Sequence, residues 1–298
     1  CLNKLFIIFG LLLGLFYLYL YNYMFFCSWK WQMDHYSAQM VMLGDPQMEG
    51  DGRIYKEGTK GLYNLWFNDH YFKHIVSNIA YFLAPSHVVV LGDLFSSQYI
   101  HQQEFDKRVA RYRTVFSPLS SETLLINITG NHDIGYANEA DRHLVQRFED
   151  AFGKVNRKWY VAGHILAIFN SMTLDPPSND QEVYDEAWQF LNDLARERNT
   201  TNTPIILATH IPLYKELDGT SLNRTYQPNF SIPYHSNPLC IEPYEVNRIS
   251  RGGKSVIRDQ TMLSPETSRF ILEEIQPVFI FNGHDHDGCI YKHNNTIE

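Results

Sequence analysis

Apolar residues come in two kinds of run here: one long block near the N-terminus and six short blocks spaced through the rest. The long block, residues 5–26, covers 22 positions without a charged side chain. At about 1.5 Å of rise per residue, a helix of that length crosses a bilayer core. The short blocks (38–43, 87–91, 124–129, 164–169, 204–209 and 277–281) are rich in valine and isoleucine and end in turn residues, which predicts strands. Between them the polar and apolar positions fall at helical spacing. Helices are predicted over 68–84, opened by the cap signal Asn68-Asp69, and over 98–116, 141–152, 185–198 and 265–274. The last has Ser264 as N-cap and Pro265 at its first position. Strand and helix alternate, which argues a layered α/β fold. A hairpin is predicted over 159–169 around Gly163, so mixed sheets are expected.

The long block could be a cleaved signal peptide, whose apolar region would be about 7 to 15 residues with small residues after it. The residues after this block are instead Cys27-Ser28-Trp29-Lys30-Trp31, with tryptophans suited to a membrane interface. An uncleaved anchor over residues 1–30 is therefore the expectation, with one globular domain over 36–298. Lys4 and Lys30 flank the span evenly and leave its orientation open. The sequons at Asn199, Asn223, Asn229 and Asn294 lie in polar sequence and favour a lumenal domain, whereas the one at Asn127 sits in an apolar run and is expected to be buried. A secretory lumen also permits disulfides among Cys27, Cys240 and Cys289. With 298 residues and 44% hydrophobic content the chain can bury one sizeable core. Its net charge of −8 argues against nucleic acid as a partner, because phosphate neutralisation needs a surface rich in lysine and arginine.

Five of the six predicted strands run directly into a residue able to hold a metal: Asp45, Asp93, Asn131, His210 and His284. Ligands of open α/β sheets sit in that place, outside the carboxyl ends of strands. Gly92-Asp93 alone would be an ordinary turn. Gly130-Asn131-His132-Asp133 with Gly283-His284-Asp285-His286 downstream is a much rarer combination, and its oxygen and imidazole donors suit a pair of divalent cations. The other histidines, His70, His74, His87, His101, His143 and His164, fall within periodic segments and read as helix or strand surface.

In this order the motifs resemble those of the calcineurin-like metallophosphoesterase superfamily, and the match runs from Asp45 to His286. The resemblance implies a layered α/β/β/α sandwich holding two divalent metal ions, for which manganese is the choice over iron or zinc. It implies Asp93 as the bridging carboxylate, Asp45 and His286 on one metal, and Asn131, His210 and His284 on the other. It gives His132 the role of stabilising the phosphoryl oxygens and protonating the leaving group, held by Asp133. Two positions depart from the pattern. Gln47 stands where a histidine ligand is usual, and an amide oxygen ligates more weakly. Ser96 stands where an outer aspartate is usual.

Those departures, with Thr209-His210-Ile211-Pro212-Leu213-Tyr214 and the run from Leu263 to Cys289, resemble the endoplasmic-reticulum phosphoesterases that remodel glycosylphosphatidylinositol (GPI) anchors. That branch implies removal of ethanolamine phosphate from a mannose of the GPI glycan. GPI-anchored proteins or the GPI glycolipid would then be the partners, and the catalytic domain would be lumenal on the endoplasmic-reticulum membrane. Members of the branch carry a second span after the domain, and this chain stops twelve residues after His286, so a C-terminally truncated fragment is expected. The segment 215–264 is long for a connection and holds Arg248, Arg251 and Arg258, which makes it either a solvated loop or a lid that recognises a phosphorylated glycan. Cys240 in that segment and Cys289 beyond His286 are expected to pair and pin it over the site. Another lipid headgroup or a nucleotide derivative remains open as substrate, as does a non-catalytic trafficking scaffold.

Overall fold

The computed structural model describes residues 2–27, 38–215, 249–252, 257–286 and 290–298. It divides into two units, Cys1–Ser37 and Ala38–Glu298. In the first, helix α1 (Leu2–Cys27) is apolar on every side, with Leu5, Leu12 and Leu20 all exposed. Its stretch Lys4–Tyr23 is the one helix among the described residues long and apolar enough to cross a membrane by length and composition.

The second unit runs β1 (Met40–Leu43), α2 (Asp51–Glu57), α3 (Thr59–Asn78), β2 (His87–Val90), α4 (Gln102–Phe116), β3 (Leu124–Asn127), α5 (Asn131–Ile134), α6 (Arg142–Phe152), β4 (Arg157–Val161), β5 (His164–Ile168), α7 (Gln181–Thr201) and β6 (Ile205–Thr209). It continues through β7 (Ile249–Arg251), β8 (Ile257–Gln260), α8 (Pro265–Phe270), β9 (Phe279–Asn282), β10 (Lys292–His293) and β11 (Thr296–Ile297). Strands β1, β2 and β3 form one all-parallel sheet. The second sheet, in the order β10-β11-β9-β6-β5-β4, is mixed, because β4 and β5 are joined as the antiparallel hairpin predicted around Gly163.

The two sheets meet face to face. Val89, Leu91, Ile126 and Ile128 of the first side pack with Leu166, Ile168, Ile206 and Ala208 of the second in one buried cluster. Strand residues alternate between faces, so Val88 and Val90, fully buried, lie on the opposite side of β2 from that cluster. There α4 buries Val109, Tyr112, Val115 and Phe116. Both faces of β2 are thus covered, and a continuous apolar run rather than an alternating one is what such a strand requires.

Helix α3 differs from the prediction. It begins at Thr59, not at Asn68, and is preceded by α2, which the pattern did not indicate. Asn68 lies exposed in mid-helix, and Asp69 is drawn to Arg111 of α4 at 2.7 Å, so tertiary pairing overrides the cap preference of this dipeptide. Elsewhere the predicted cap Ser264 accepts from Thr267 N, and Asp141, just ahead of α6, accepts from Leu144 N. Of the sequons, Asn127 is buried and accepts from the hydroxyl of Tyr112, as its apolar setting predicted. Asn294 is exposed in a turn, whereas Asn199 is exposed on the last turn of α7 rather than in a loop.

Candidate metal centre

The carboxyl ends of β1, β2, β6 and β9 and the start of α5 bring Asp45, Gln47, Asp93, Asn131, His132, His210, His284 and His286 together. Asp93 is central and almost fully buried. Its Oδ1 accepts from the backbone N–H of His132 at 2.8 Å and lies 3.4 Å from His210 Nε2; its Oδ2 accepts from the Gln47 amide at 3.2 Å. Oxygen or nitrogen atoms of Asp93, His210 and His284 all lie within 4.8 Å of one another.

Close approach dictates the glycines. A Cβ on Gly130 would stand 2.1 Å from Asp93 Oδ1, and one on Gly92, at φ 104°, would stand 2.3 Å from His210 Nδ1. The candidate ligand residues themselves carry backbone strain. Asp45, Gln47, Asp93 and His284 have φ of 21°, 39°, 49° and 67°, a region that non-glycine residues occupy at a cost of about 1 to 3 kcal/mol each.

Two histidines are each held by a backbone carbonyl through one ring nitrogen. His210 Nδ1 donates to Leu91 O at 2.8 Å, which leaves Nε2 facing Asp93 and Asn131 Oδ1, the latter at 3.1 Å. His284 Nε2 donates to Gln260 O at 2.7 Å, which leaves Nδ1 to ligate. Such bonds fix both tautomer and ring orientation. Asp45 accepts from the N–H of His284 at 2.9 Å through Oδ2, and His286 Nε2 stands 3.6 Å from the same oxygen. The other oxygen, Asp45 Oδ1, is buried without a hydrogen-bond partner. Its charged neighbour His210 Nδ1 stands at 3.8 Å, beyond hydrogen-bond reach; a buried carboxylate oxygen without a hydrogen bond costs free energy, and a cation would satisfy it.

Electrostatics reflect this crowding. Burial disfavours a charge on His210, yet Asp93 and Asp45 outweigh it and raise its pKa to about 9. Burial lowers that of His284 to about 4, and the charge on His210 acts in the same direction. Asp45 is raised, chiefly by burial, while Asp93, despite its burial, is held low by His210. A divalent cation held by His210 would compete with the proton for the same ring nitrogen.

A model of the calcineurin-like phosphoesterase family matches residues 41–288. The chain belongs to the calcineurin-like phosphoesterase family. Similar proteins include the uncharacterized protein C23A1.02c of Schizosaccharomyces pombe, 30% identical over 90% of this chain and 67% of that one. Protein TED1 of Saccharomyces cerevisiae is 26% identical over 90% of this chain and 69% of its own. Metallophosphoesterase 1 of Xenopus laevis is 27% identical over 72% of this chain, which spans only 54% of that relative. Calcineurin-like phosphoesterases are metal-dependent, and the donor set fits: oxygen and imidazole ligands around an orphaned carboxylate oxygen suit divalent cations.

The remaining predicted residues take varied places. His132 is at the rim, with its side chain 44% exposed and Nε2 4.0 Å from Asp93 Oδ2. Asp133, which the resemblance has holding that ring, is buried and accepts instead from the N–H groups of Gly130, Leu94 and Phe95 at 2.9 to 3.2 Å. It thereby clamps the loop after β2 to the loop after β3. Gln47 presents its amide nitrogen to Asp93 and, at 3.2 Å, to His286 Nε2; only its oxygen could ligate. Arg251, the last residue of β7, is exposed and donates to Pro176 O at 2.8 Å. The side chain of Arg258, and Arg248, Cys240 and Cys289 altogether, lie outside the described residues.

Sequence reasoning missed Gln260 and Asp175. Asp175 is buried and accepts from Gln260 Nε2 at 2.5 Å, Ser264 N at 2.9 Å and Thr267 Oγ1 at 2.7 Å, which anchors the strand whose carbonyl orients His284. A main-chain acceptor leaves no mark in the sequence. Asp175, one residue ahead of Pro176-Pro177, reads there as a turn.

Proposed function

We propose that this chain is a membrane-anchored dinuclear phosphodiesterase that removes ethanolamine phosphate from a mannose of the GPI glycan, working on the lumenal side of the endoplasmic reticulum. The observation that carries the chemistry is the convergence of Asp45, Asp93, Asn131, His210 and His284 on one centre with Asp93 in the middle. Asp45, Gln47 and His286 would hold one cation, Asn131, His210 and His284 the other, and Asp93 both. Bound divalent cations, with manganese the first choice, supply Lewis acidity and lower the pKa of an attacking water. The strained loops keep the carboxylates in place, so little reorganisation is needed when a phosphoryl group arrives. His132, exposed at the rim, can reach the oxygens of a bound phosphodiester and give a proton to the departing alcohol.

The substrate reading rests on three supports: a helix apolar enough to serve as an anchor, exposed sequons at Asn199 and Asn294, and the motif resemblance to the GPI-remodelling branch. Metal analysis of the purified chain, with turnover of bis(p-nitrophenyl) phosphate, tests the chemistry. Mass spectrometry of anchors from cells lacking the gene tests the substrate: glycans should retain one extra ethanolamine phosphate. An unchanged glycan profile would remove the GPI reading and leave the metal chemistry standing.

A further inference from the structure

Helix α3 has a covered side and an exposed one. On the covered side Gly61, Leu65 and Val76 are buried, and Asp69, the only acidic residue of the helix, pairs with Arg111. On the exposed side stand Leu62, Tyr63, Trp66, Phe67 and His70; Tyr63 is 60% and Trp66 54% accessible. Their rings pack on one another: Tyr63 stacks against Phe67 at 6.2 Å, Phe67 against Tyr71 at 6.3 Å, and Trp66 lies tilted against His70 at 4.3 Å. A run of this kind is unusual on a surface facing only water. Its composition is that of a bilayer interface, where tryptophan and tyrosine keep the ring among lipid chains and the polar tip at headgroup level.

Two further facts choose the occupant. The first is charge: Asp69 is turned away into its pair with Arg111, the neighbouring Glu57 is engaged by Arg53 and Asn64, and Lys56 and Lys60 are exposed, a pattern that suits phosphate headgroups. The second is tethering. The twelve residues between Cys27 and Met40 reach about 40 Å at full extension, so a domain anchored through Lys4–Tyr23 stays close to a bilayer. The face is also tied to the metal centre. Helix α2, which leads into α3, starts four residues after Gln47, and that loop is pinned by Gln47 N to Asp93 O at 2.8 Å and Met48 N to Leu94 O at 3.0 Å.

We propose that the aromatic face of α3 lies on the phospholipid surface and sets the height of the metal centre above it. This deepens the reading of a lipid-borne substrate, on which its purpose rests, but its physical test is separate. The full chain is reconstituted in phosphatidylcholine vesicles with brominated acyl chains, and the emission of Trp66 is isolated by subtracting that of Trp66→Phe. Quenching of the Trp66 component by the brominated lipid, with shielding from aqueous iodide, is expected; iodide quenching in vesicles equal to that in detergent would overturn the proposal. Replacing the surface pair, Trp66→Glu with Phe67→Glu, should lower turnover of a vesicle-borne phosphodiester by about threefold to tenfold and leave turnover of bis(p-nitrophenyl) phosphate unchanged. Equal loss on both substrates, or a shift of the reconstituted chain from dimer to monomer in the double variant, would assign the face to structure or to a second copy and overturn it. Lipid quenching of Trp66 in a protein that leaves GPI glycans intact would uphold the docking face and dismiss only the substrate.

Discussion

The two halves of the proposed metal centre are built differently. Around Asn131, His210 and His284 the donors are sunk into the fold: His210 is fully buried, and both rings are fixed by carbonyls of Leu91 and Gln260. Around Gln47 and His286 they stand at the edge: the His286 side chain is 66% exposed, and its bond is to the amide of Gln47. Asp45 supports this edge half from the interior, and Asp93 is shared by both halves. Rigid, pre-oriented donors lose little entropy on ligation, whereas an exposed imidazole and a neutral amide must be ordered by the cation itself. The contrast predicts one tightly held cation and one exchangeable cation.

The largest effect should come from the residue both halves use. Asp93→Asn should abolish phosphodiester turnover and reduce both cations in metal analysis; retention of one at full occupancy would show that Asp93 does not bridge. His132→Ala should lose roughly 10²- to 10⁴-fold in turnover, the usual scale for a general acid, with both cations kept. Parallel metal loss there would move His132 into the ligand set. Next come the halves themselves. His286→Ala should release one cation at low chelator while the other stays, whereas His210→Ala should empty the buried position. If the two variants titrate alike, the asymmetry is wrong. Gln47→His should tighten the edge position by about tenfold, because an imidazole replaces a weak amide donor, read as the chelator concentration that halves activity.

The smallest effect is a control remote from the centre. Asp180 caps α7; slight burial opposes its ionisation, but N–H donors of Arg142, Val183 and Glu182 outweigh this and hold its carboxyl below the ordinary range. Its contribution is therefore fully present above the unfolded-state pKa of about 3.9 and is lost as pH falls through the lower folded-state value. Asp180→Ala should cost about 1 kcal/mol at neutral pH. The difference in melting temperature between variant and parent should close under strongly acid conditions, and metal content should not change; a difference independent of pH would mean that the carboxylate is not the stabilising group.

Much of the centre was legible because its ligands are side chains at strand ends, and both strand ends and ligand types leave marks in a sequence. Asp45, Asp93, Asn131, His210, His284 and His286 all belong to motifs that the fold brings together. The supports were not legible, for a reason of kind rather than of signal strength. The acceptors for His210 and His284 are carbonyl oxygens, which every residue has, and the clamp made by Asp133 depends on N–H groups from a different loop. The start of helix α3 was hidden because Asn68-Asp69 carries a cap preference that its pairing with Arg111 overrides. The exposed aromatic side of the same helix gave no sign of itself because tryptophan, tyrosine and phenylalanine in sequence usually mean burial.

The position of β9 has a consequence for how the protein is made. It is the last of the ligand-bearing strands to be synthesised, yet it lies inside its sheet, between β6 and β11, and brings His284 to Asp45 across 239 positions of sequence. Contacts of such range close late in folding, after the entropy of the intervening loop has been overcome. Neither cation can find its full shell on a partly made chain, so metal acquisition waits for the finished domain. A chain interrupted before residue 284 keeps the first sheet and all its motifs but never becomes competent to hold the buried ion.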